Sequence, residues 1–310
     1  LGYSHLQSVD LLSAALPKNE IVFRLRNEDS RWNPENPSGA ERYLMERQEV
    51  TVKYGMTVGE STEWIDGGHF WISGWSTPAN GIEASFTARD LLEFMNEKYT
   101  GLMSGTLYDI AVSAFQQANL PRTSGGALRY SIDSSLMAYS TTFEDEHTIA
   151  EVLQKVAHMG CCVLHQDREG IMHLEPRGER KTDYEITRAL SYSHPEFEIT
   201  KPLKAVDVNY GIQQSLRLDV ATVGEVQTVD NSFILTEADA QRVAEATAEV
   251  LRGRKTISGQ YRADPRMDVL DEVTVESKFA TNPVVITEIE YSTTGGGFIG
   301  RFAGRLGGNG

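Results

Sequence analysis

Glu49-Val50-Thr51-Val52-Lys53-Tyr54, closed by Gly55, alternates polar and apolar residues at a period of two. Successive side chains of a strand point to opposite faces, so the pattern predicts a half-buried β-strand. The same four residues return far downstream as Glu272-Val273-Thr274-Val275. Valine and threonine are common strand residues, and a shared tetrapeptide alone carries little weight. The order of the downstream segments adds to it. Phe70 to Trp75 (FWISGW) comes after the first copy and Val284 to Ile289 after the second. A strand bearing Phe and Arg then comes after each, Phe86 to Arg89 and Phe298 to Arg305. Two related β units in one chain are the expectation.

Working outward, Ile21-Val22-Phe23-Arg24-Leu25 reads as a strand closed by Asn27-Glu28-Asp29-Ser30, and Arg31 to Gly39 (RWNPENPSG) as a loop. Trp64-Ile65 leads to Asp66-Gly67-Gly68, a hairpin-turn signal, with His69 to Trp75 as the return strand. After Pro78-Ala79-Asn80-Gly81, Ile82 to Ala88 alternates again. The texture then changes. Arg89 to Asn96 predicts a short helix, and Thr106 to Ala118 sets Leu107, Ile110, Ala111, Ala114 and Phe115 on one helical face. Thr148 to His158 opens with a capping box, Thr148 and Glu151, and stops at Gly160. Cys161 to His165 and Ile171 to Leu174 are expected as strands joined by Asp167-Arg168-Glu169-Gly170. Lys204 to Tyr210 is a strand, Leu216 to Val220 with Glu225 to Val229 a further hairpin, and Thr236 to Arg252 a helix. Val269 to Val275 and Val284 to Tyr291 are the last strands before a Gly-rich end from Gly295.

The chain has 310 residues, 40% hydrophobic and 24% charged, enough for two or three domains with cores of their own. No stretch approaches the ~20 apolar residues of a membrane span, so no membrane insertion is expected. The opening Leu1-Gly2-Tyr3-Ser4 shows no signal peptide and no Met, which points to a processed or longer parent chain. A net charge of −15 repels phosphate backbones and argues against specific nucleic-acid binding. It either keeps the chain soluble or forms a surface past which DNA slides without sticking. Cys161 and Cys162 are adjacent, so a disulfide between them is strained, and the pair signals a reducing cytoplasm.

No Gly-x-Ser-x-Gly elbow, His-Glu-x-x-His helix or P-loop occurs. His158, Cys161, Cys162, His165 and His173 are the nearest metal candidate, set against core cysteines and histidines at element ends. Glu144-Asp145-Glu146 is a carboxylate cluster that the adjoining helix N-terminus explains without catalysis. Trp32, Trp64, Trp71 and Trp75 form either a sugar-stacking platform or core. No catalytic, cofactor-binding or metal residue is assigned.

Residues 16–95 resemble the N-terminal hub region of tail-tip and baseplate hub proteins of long-tailed bacteriophages, including tail-associated lysins. The resemblance lies in Leu16-Pro17-Lys18-Asn19-Glu20, Asn27-Glu28-Asp29, Asn33 to Gly39, Arg47 to Gly55, Trp64-Ile65, Gly68 to Trp75 and Phe86 to Leu92. The rest is similar more loosely, with Asp264-Pro265-Arg266-Met267 and Asp271-Glu272-Val273 like the start of a second-barrel strand. The resemblance implies a mixed β and α+β chain with two tube-like β-barrel domains and an α+β middle unit. Residues 1–100 would form the first barrel, 101–190 the middle unit, and 191–310 the second barrel with an inserted helix and Gly-rich tail.

It further implies a non-enzymatic homotrimer whose six barrels continue the tail tube. Its partners would be tail tube, distal tail and tape-measure proteins, with DNA crossing the lumen unbound. Such a protein belongs to the virion tail tip of a phage or prophage and assembles in the host cytoplasm. Gly295-Gly296-Gly297 to Gly310 then looks like a linker to a further part. A carbohydrate- or receptor-binding tail-tip module and a tail-associated peptidoglycan hydrolase are the alternatives. The first needs exposed Trp rings in a row, and the second a carboxylate or Cys-His pair in a cleft.

Overall fold

Five strands open the chain in the computed structural model, which describes residues 2–36, 38–77, 82–178, 180–294 and 297–306. They are β1 (Tyr3–Ser8), β2 (Lys18–Arg26), β3 (Glu49–Val58), β4 (Ser61–Ser76) and β5 (Glu83–Arg89). The expected turn 78–81 and residues 295–296 and 307–310 of the Gly-rich end lie outside the described residues, and the part between, Gly297–Leu306, is a strand. The β3–β4 hairpin corrects two expectations. β3 does not stop at Gly55 but runs on to Val58, and the chain turns at Gly59-Glu60, where Gly59 has φ +64°. Asp66-Gly67-Gly68 instead lies inside β4, opposite a register shift between Val52 and Lys53. The two glycines serve close packing there. A Cβ on Gly67 would come within 2.6 Å of Tyr54 and 2.8 Å of Val52, and Gly68 has φ +122°.

The middle of the chain carries β6 (Ser104–Thr106), α1 (Leu107–Ala118), β7 (Tyr130–Ile132), β8 (Ser140–Thr142), α2 (Ile149–Met159), β9 (Cys162–Gln166) and β10 (Met172–Pro176). Thr106 caps α1, and the Thr148–Glu151 capping box closes the start of α2 in both directions. The helices bury the faces their spacing predicts, against a sheet of order β7-β10-β9. Cys161 is not on a strand. It has φ +53°, left-handed, and turns the chain from α2 into β9. Arg89 to Asn96 forms a single 3₁₀ turn, Leu91–Phe94, capped by Asp90.

The last part holds β11 (Arg180–Ile186), β12 (Glu196–Ile199), β13 (Leu203–Tyr210), β14 (Gln214–Asp219), β15 (Glu225–Asp230), α3 (Glu237–Arg252), β16 (Lys255–Arg262), β17 (Asp271–Glu276), β18 (Thr281–Thr294) and β19 (Gly297–Leu306). β14 and β15 are not a hairpin. Both flank β13, β14 antiparallel and β15 parallel. The connection rounds the start of β13, where the Val220 and Ala221 N–H groups bond the Lys204 carbonyl and the Glu225 N–H bonds that of Pro202. Gly224, at φ +136°, passes so near Pro202 that a Cβ would lie 2.0 Å from its oxygen. β13 and α3 share one core with α1, α2, β9 and β10, so apolar packing crosses the expected border at residue 190.

Two four-stranded units carry the larger sheet. In the first the order is β2-β5-β4-β3, and in the second β16-β19-β18-β17. Their registers match. Glu49 pairs with Trp71, Trp71 with Arg89, and Arg89 with Glu20. Likewise Glu272 pairs with Val285, Val285 with Arg305, and Arg305 with Thr256. A bulge falls at Ser73 in the first and Thr287 in the second, and each hydroxyl bonds the carbonyl across it, Thr87 or Ala303, at 3.3 Å. The tetrapeptides therefore occupy equivalent strands. Ile21, Phe70, Ile72 and Phe86 fill one core where Ile257, Val284, Ile286 and Phe302 fill the other. Each such large side chain contributes about 1.5–3 kcal/mol by its burial.

Two separate closed barrels are not seen. β1 pairs β2 on one side and β18 on the other, so the units merge into one eleven-stranded sheet. Its path ends at β3 and β12, which among the described residues do not meet. The class is mixed β and α+β, and no described helix is long and apolar enough to cross a membrane.

Candidate functional site

The seam around β1 is polar rather than apolar. Tyr3 and Tyr54 hydroxyls lie 2.8 Å apart, and His5 touches Tyr54 at 3.2 Å and Asn19 at 2.8 Å. Arg168 reaches in from the β9–β10 turn to donate to Asp268 at 3.1 Å and to the Pro265 and Met267 carbonyls at 2.5 Å. Burial holds the His5 imidazole down to about 4 and pushes Asp271, nearby on β17, up to about 6. A second clamp joins the middle unit to β3, where Arg129 donates to Glu49 at 2.7 Å and its guanidinium lies over Trp71. Buried groups so interlocked fix the two β units against the middle unit. Rigid geometry is what this seam supplies.

The five metal candidates do not converge. His165 and His173 face each other across β9–β10 with rings stacked at 5.2 Å, held by Glu175 and Asp167 at 2.9 and 2.7 Å. Hydrogen bonds from His165 and Arg180 hold the Glu175 carboxyl down to about 2. His158 and Cys161 border a small cavity beside α3, yet no side-chain hydrogen bond joins them, and Arg242 Nη1 lies 3.3 Å from the Cys161 sulfur. Burial pushes both thiols up, Cys162 to about 12, so neither is an activated nucleophile. Among the described residues no group of three His, Cys, Asp or Glu could hold a metal. Glu146 of the carboxylate cluster bonds Lys98 at 2.5 Å. Asp145 instead lines an open cleft of about 720 Å³ with His147, Lys155 and Asn209.

The tryptophans do not form a row. Trp71 is buried in the middle core, Trp32 and Trp75 pack on the first β unit, and Trp64 alone of the four is exposed, lying over Gly55 of β3. What the sheet does expose is at its ends. Near β3 these are Met56, Val58 and Trp64, and on β12 they are Phe197 and Ile199. An edge strand with unpaired backbone groups and exposed apolar side chains is a template for another chain. Sequence reading missed this, because β12 is only four residues long and which strands end a sheet is set by long-range pairing.

The fold is that of phage and prophage tail proteins. The chain is similar to the 43 kDa tail protein of prophage MuSo2 from Shewanella oneidensis, with TM-score 0.62 and 11% identity over 98% of this chain and 92% of that one. It is similar to the tail protein from Neisseria meningitidis MC58, with TM-score 0.67 and 11% identity over 99% and 92%. Prophage tail protein gp18 from Listeria monocytogenes EGD-e matches with TM-score 0.57 and 10% identity over 99% and 88%. No protein-family model matches the sequence, and no curated protein matches it. At such identity the shared property is the fold, along nearly the whole chain.

Proposed function

We propose that this chain is a structural, non-enzymatic hub at the distal end of a phage or prophage tail. Three copies close head to tail into a ring that continues the tail tube. One observation carries the reading: a tail-protein fold contains two register-matched four-stranded units, so three copies present six similar units around an axis. The barrels are then a property of the ring, the free edges β3 and β12 being covered by neighbouring copies. The segments 1–100, 101–190 and 191–310 serve as first tube domain, middle domain and second tube domain, with α3 and β13–β15 leaning on the middle one. Tail tube, distal tail and tape-measure proteins are the partners, and DNA crosses the lumen without specific binding. The location is the virion tail tip, after assembly in the host cytoplasm.

Light scattering of the purified chain, with imaging of the particles, tests this. The expected result is three times the chain mass and threefold rings. A monomer at all concentrations, alone and with a tail tube protein, overturns it.

A further inference from the structure

Within one chain, β1 joins the two units: it pairs with β2 of the first and hands the sheet on to β18 of the second. β12 holds the matching place on the second unit. Arg89 pairs with Glu20 on β2 and Arg305 with Thr256 on β16, so Glu20 and Thr256 are counterparts. Leu6 pairs with Glu20 and Glu198 with Thr256, both antiparallel. His5-Leu6-Gln7 and Phe197-Glu198-Ile199 therefore correspond residue for residue. Their surroundings differ. With β18 beyond them, His5 and Gln7 are 5% and 7% exposed. Phe197 and Ile199, with no strand beyond β12 among the described residues, are 46% and 62% exposed.

The place that β1 takes on β18 has a vacant counterpart on β4. β1 runs along residues 288–293 of β18, past the bulge at Thr287 and on the same edge as β17. The first unit repeats this geometry as far as its own bulge. The Arg47 N–H bonds the Ile72 carbonyl as the Leu270 N–H bonds that of Ile286, both at 2.8 Å, and both residues have positive φ, +59° and +70°. Past the bulge the likeness ends. Gly74, Trp75 and Ser76 pair with β5 on one side, and on the other they meet no strand among the described residues. Trp75 stands where Ile289 stands, each paired with a phenylalanine, Phe86 or Phe302. Met45, exposed, takes the place of Asp268, each carbonyl accepting from the N–H three residues on.

We propose that β12 of one copy adds to the free stretch of β4, residues 74–76, in the next copy, as β1 adds to β18 within its own chain. This names the contact that closes the proposed ring, and it rests on that reading. β1 sets Gln7 opposite Ile289, Leu6 opposite Glu290 and Ser8 opposite Glu288. The same register puts Ile199 opposite Trp75, Glu198 opposite Ser76 and Thr200 opposite Gly74. Backbone groups on both free edges then find partners. Ile199 and Phe197 leave water beside Trp75 and Met45, and no like charges stand opposite one another. Three such contacts, alternating with the three β1 joints, carry one continuous sheet around six units.

Cross-linking tests the register. Opposed residues of an antiparallel pair have Cα atoms about 4.5–5.5 Å apart, within reach of a disulfide. Ser76 and Glu198 are both exposed, so Ser76→Cys with Glu198→Cys leaves the fold intact. Treated with diamide, this variant is expected to link copies into dimers and closed covalent trimers on a non-reducing gel, where the wild type does not. Thr57→Cys with Glu198→Cys, which reports pairing to the outer edge of β3 instead, is expected to stay unlinked. In sedimentation equilibrium Ile199→Lys should raise the dissociation constant about tenfold or more, with an unchanged circular dichroism spectrum. Linking through residue 57 in place of 76, no linking in a chain that assembles, or an Ile199→Lys variant that assembles like the wild type overturns the strand docking while the ring stands. A wild-type chain that never associates overturns the ring and the docking with it.

Discussion

Arg129 Nη2 lies 2.7 Å from Glu49 Oε1, and the arginine side chain that makes this bond is only 3% exposed. The contact joins the first residue of the first tetrapeptide to the residue just before β7. His69 Nδ1 meets the same oxygen at 2.6 Å, so one carboxylate holds two elements. Removing it leaves a buried guanidinium without its counter-charge. Glu49→Ala is expected to lower stability by about 2–3 kcal/mol, the exposed side of Glu49 keeping the loss at the lower end. Denaturant unfolding followed by tryptophan fluorescence measures it. A change under about 0.5 kcal/mol, within the range of ordinary surface substitutions, counts against the clamp.

His5 makes stability depend on pH in the acid range. It is neutral in the fold because burial holds it down to about 4, with Asn19, Tyr54, Asp268 and Arg168 facing it. An unfolded histidine takes a proton near 6.5, so its contribution is present above that pH and is lost as pH falls from about 6.5 to 4. His5→Gln should flatten this part of the stability curve. An unchanged slope between about pH 6.5 and 4 in the variant refutes the assignment.

Asp90 acts in the opposite direction. Its folded-state value, about 7, lies above the ordinary 3.8, so the folded chain holds a proton that the unfolded chain has released. Its contribution is full below about pH 4 and is lost as pH rises to about 7. Arg89, Glu93 and Glu20 are the charged groups that face it. Asp90→Asn keeps a capping oxygen and should be more stable than the wild type at about pH 8 by roughly 1–3 kcal/mol, and equal to it at about pH 4. Carboxyl resonances of Asp90 followed by NMR give the titration directly.

The matched bulges predict matched costs. Ser73→Ala and Thr287→Val each remove one hydroxyl bond to a carbonyl across a bulge, with net worth of about 0.5–1.5 kcal/mol. Similar losses from the two variants in thermal unfolding support an equivalent structural role. A neutral effect in one unit beside a large one in the other breaks the equivalence.

In the proposed ring the surplus of acidic side chains has to go somewhere. Every interface of a closed homo-oligomer uses the same patches, so unpaired like charges are kept away from them. The lumen is expected to carry more Asp and Glu than Lys and Arg, repelling DNA over about one Debye length, ~8 Å at physiological salt. A reconstruction of the assembled ring decides this. A net positive lumen ends the sliding-surface idea and leaves the hub intact.

By itself the sequence determined the local elements and their kinship. Alternation at Glu49–Tyr54, the apolar faces of α1 and α2, and the Thr148–Glu151 box are set by neighbours within a few residues, and so they are legible one segment at a time. The echo of Glu49–Val52 in Glu272–Val275 belonged to the same class of signal, and the registers agree with it. Tertiary structure alone decided how those elements join. β1 is a short strand with Gln7 and His5 buried, and its polar pattern makes sense only between Tyr54, Asn19 and Arg168, which lie far away in sequence. The placing of β15 beside β13 and the merging of two units into one open sheet have the same origin. Each depends on which distant backbone edge is free to accept a partner. A residue's own neighbours in the chain carry no record of that.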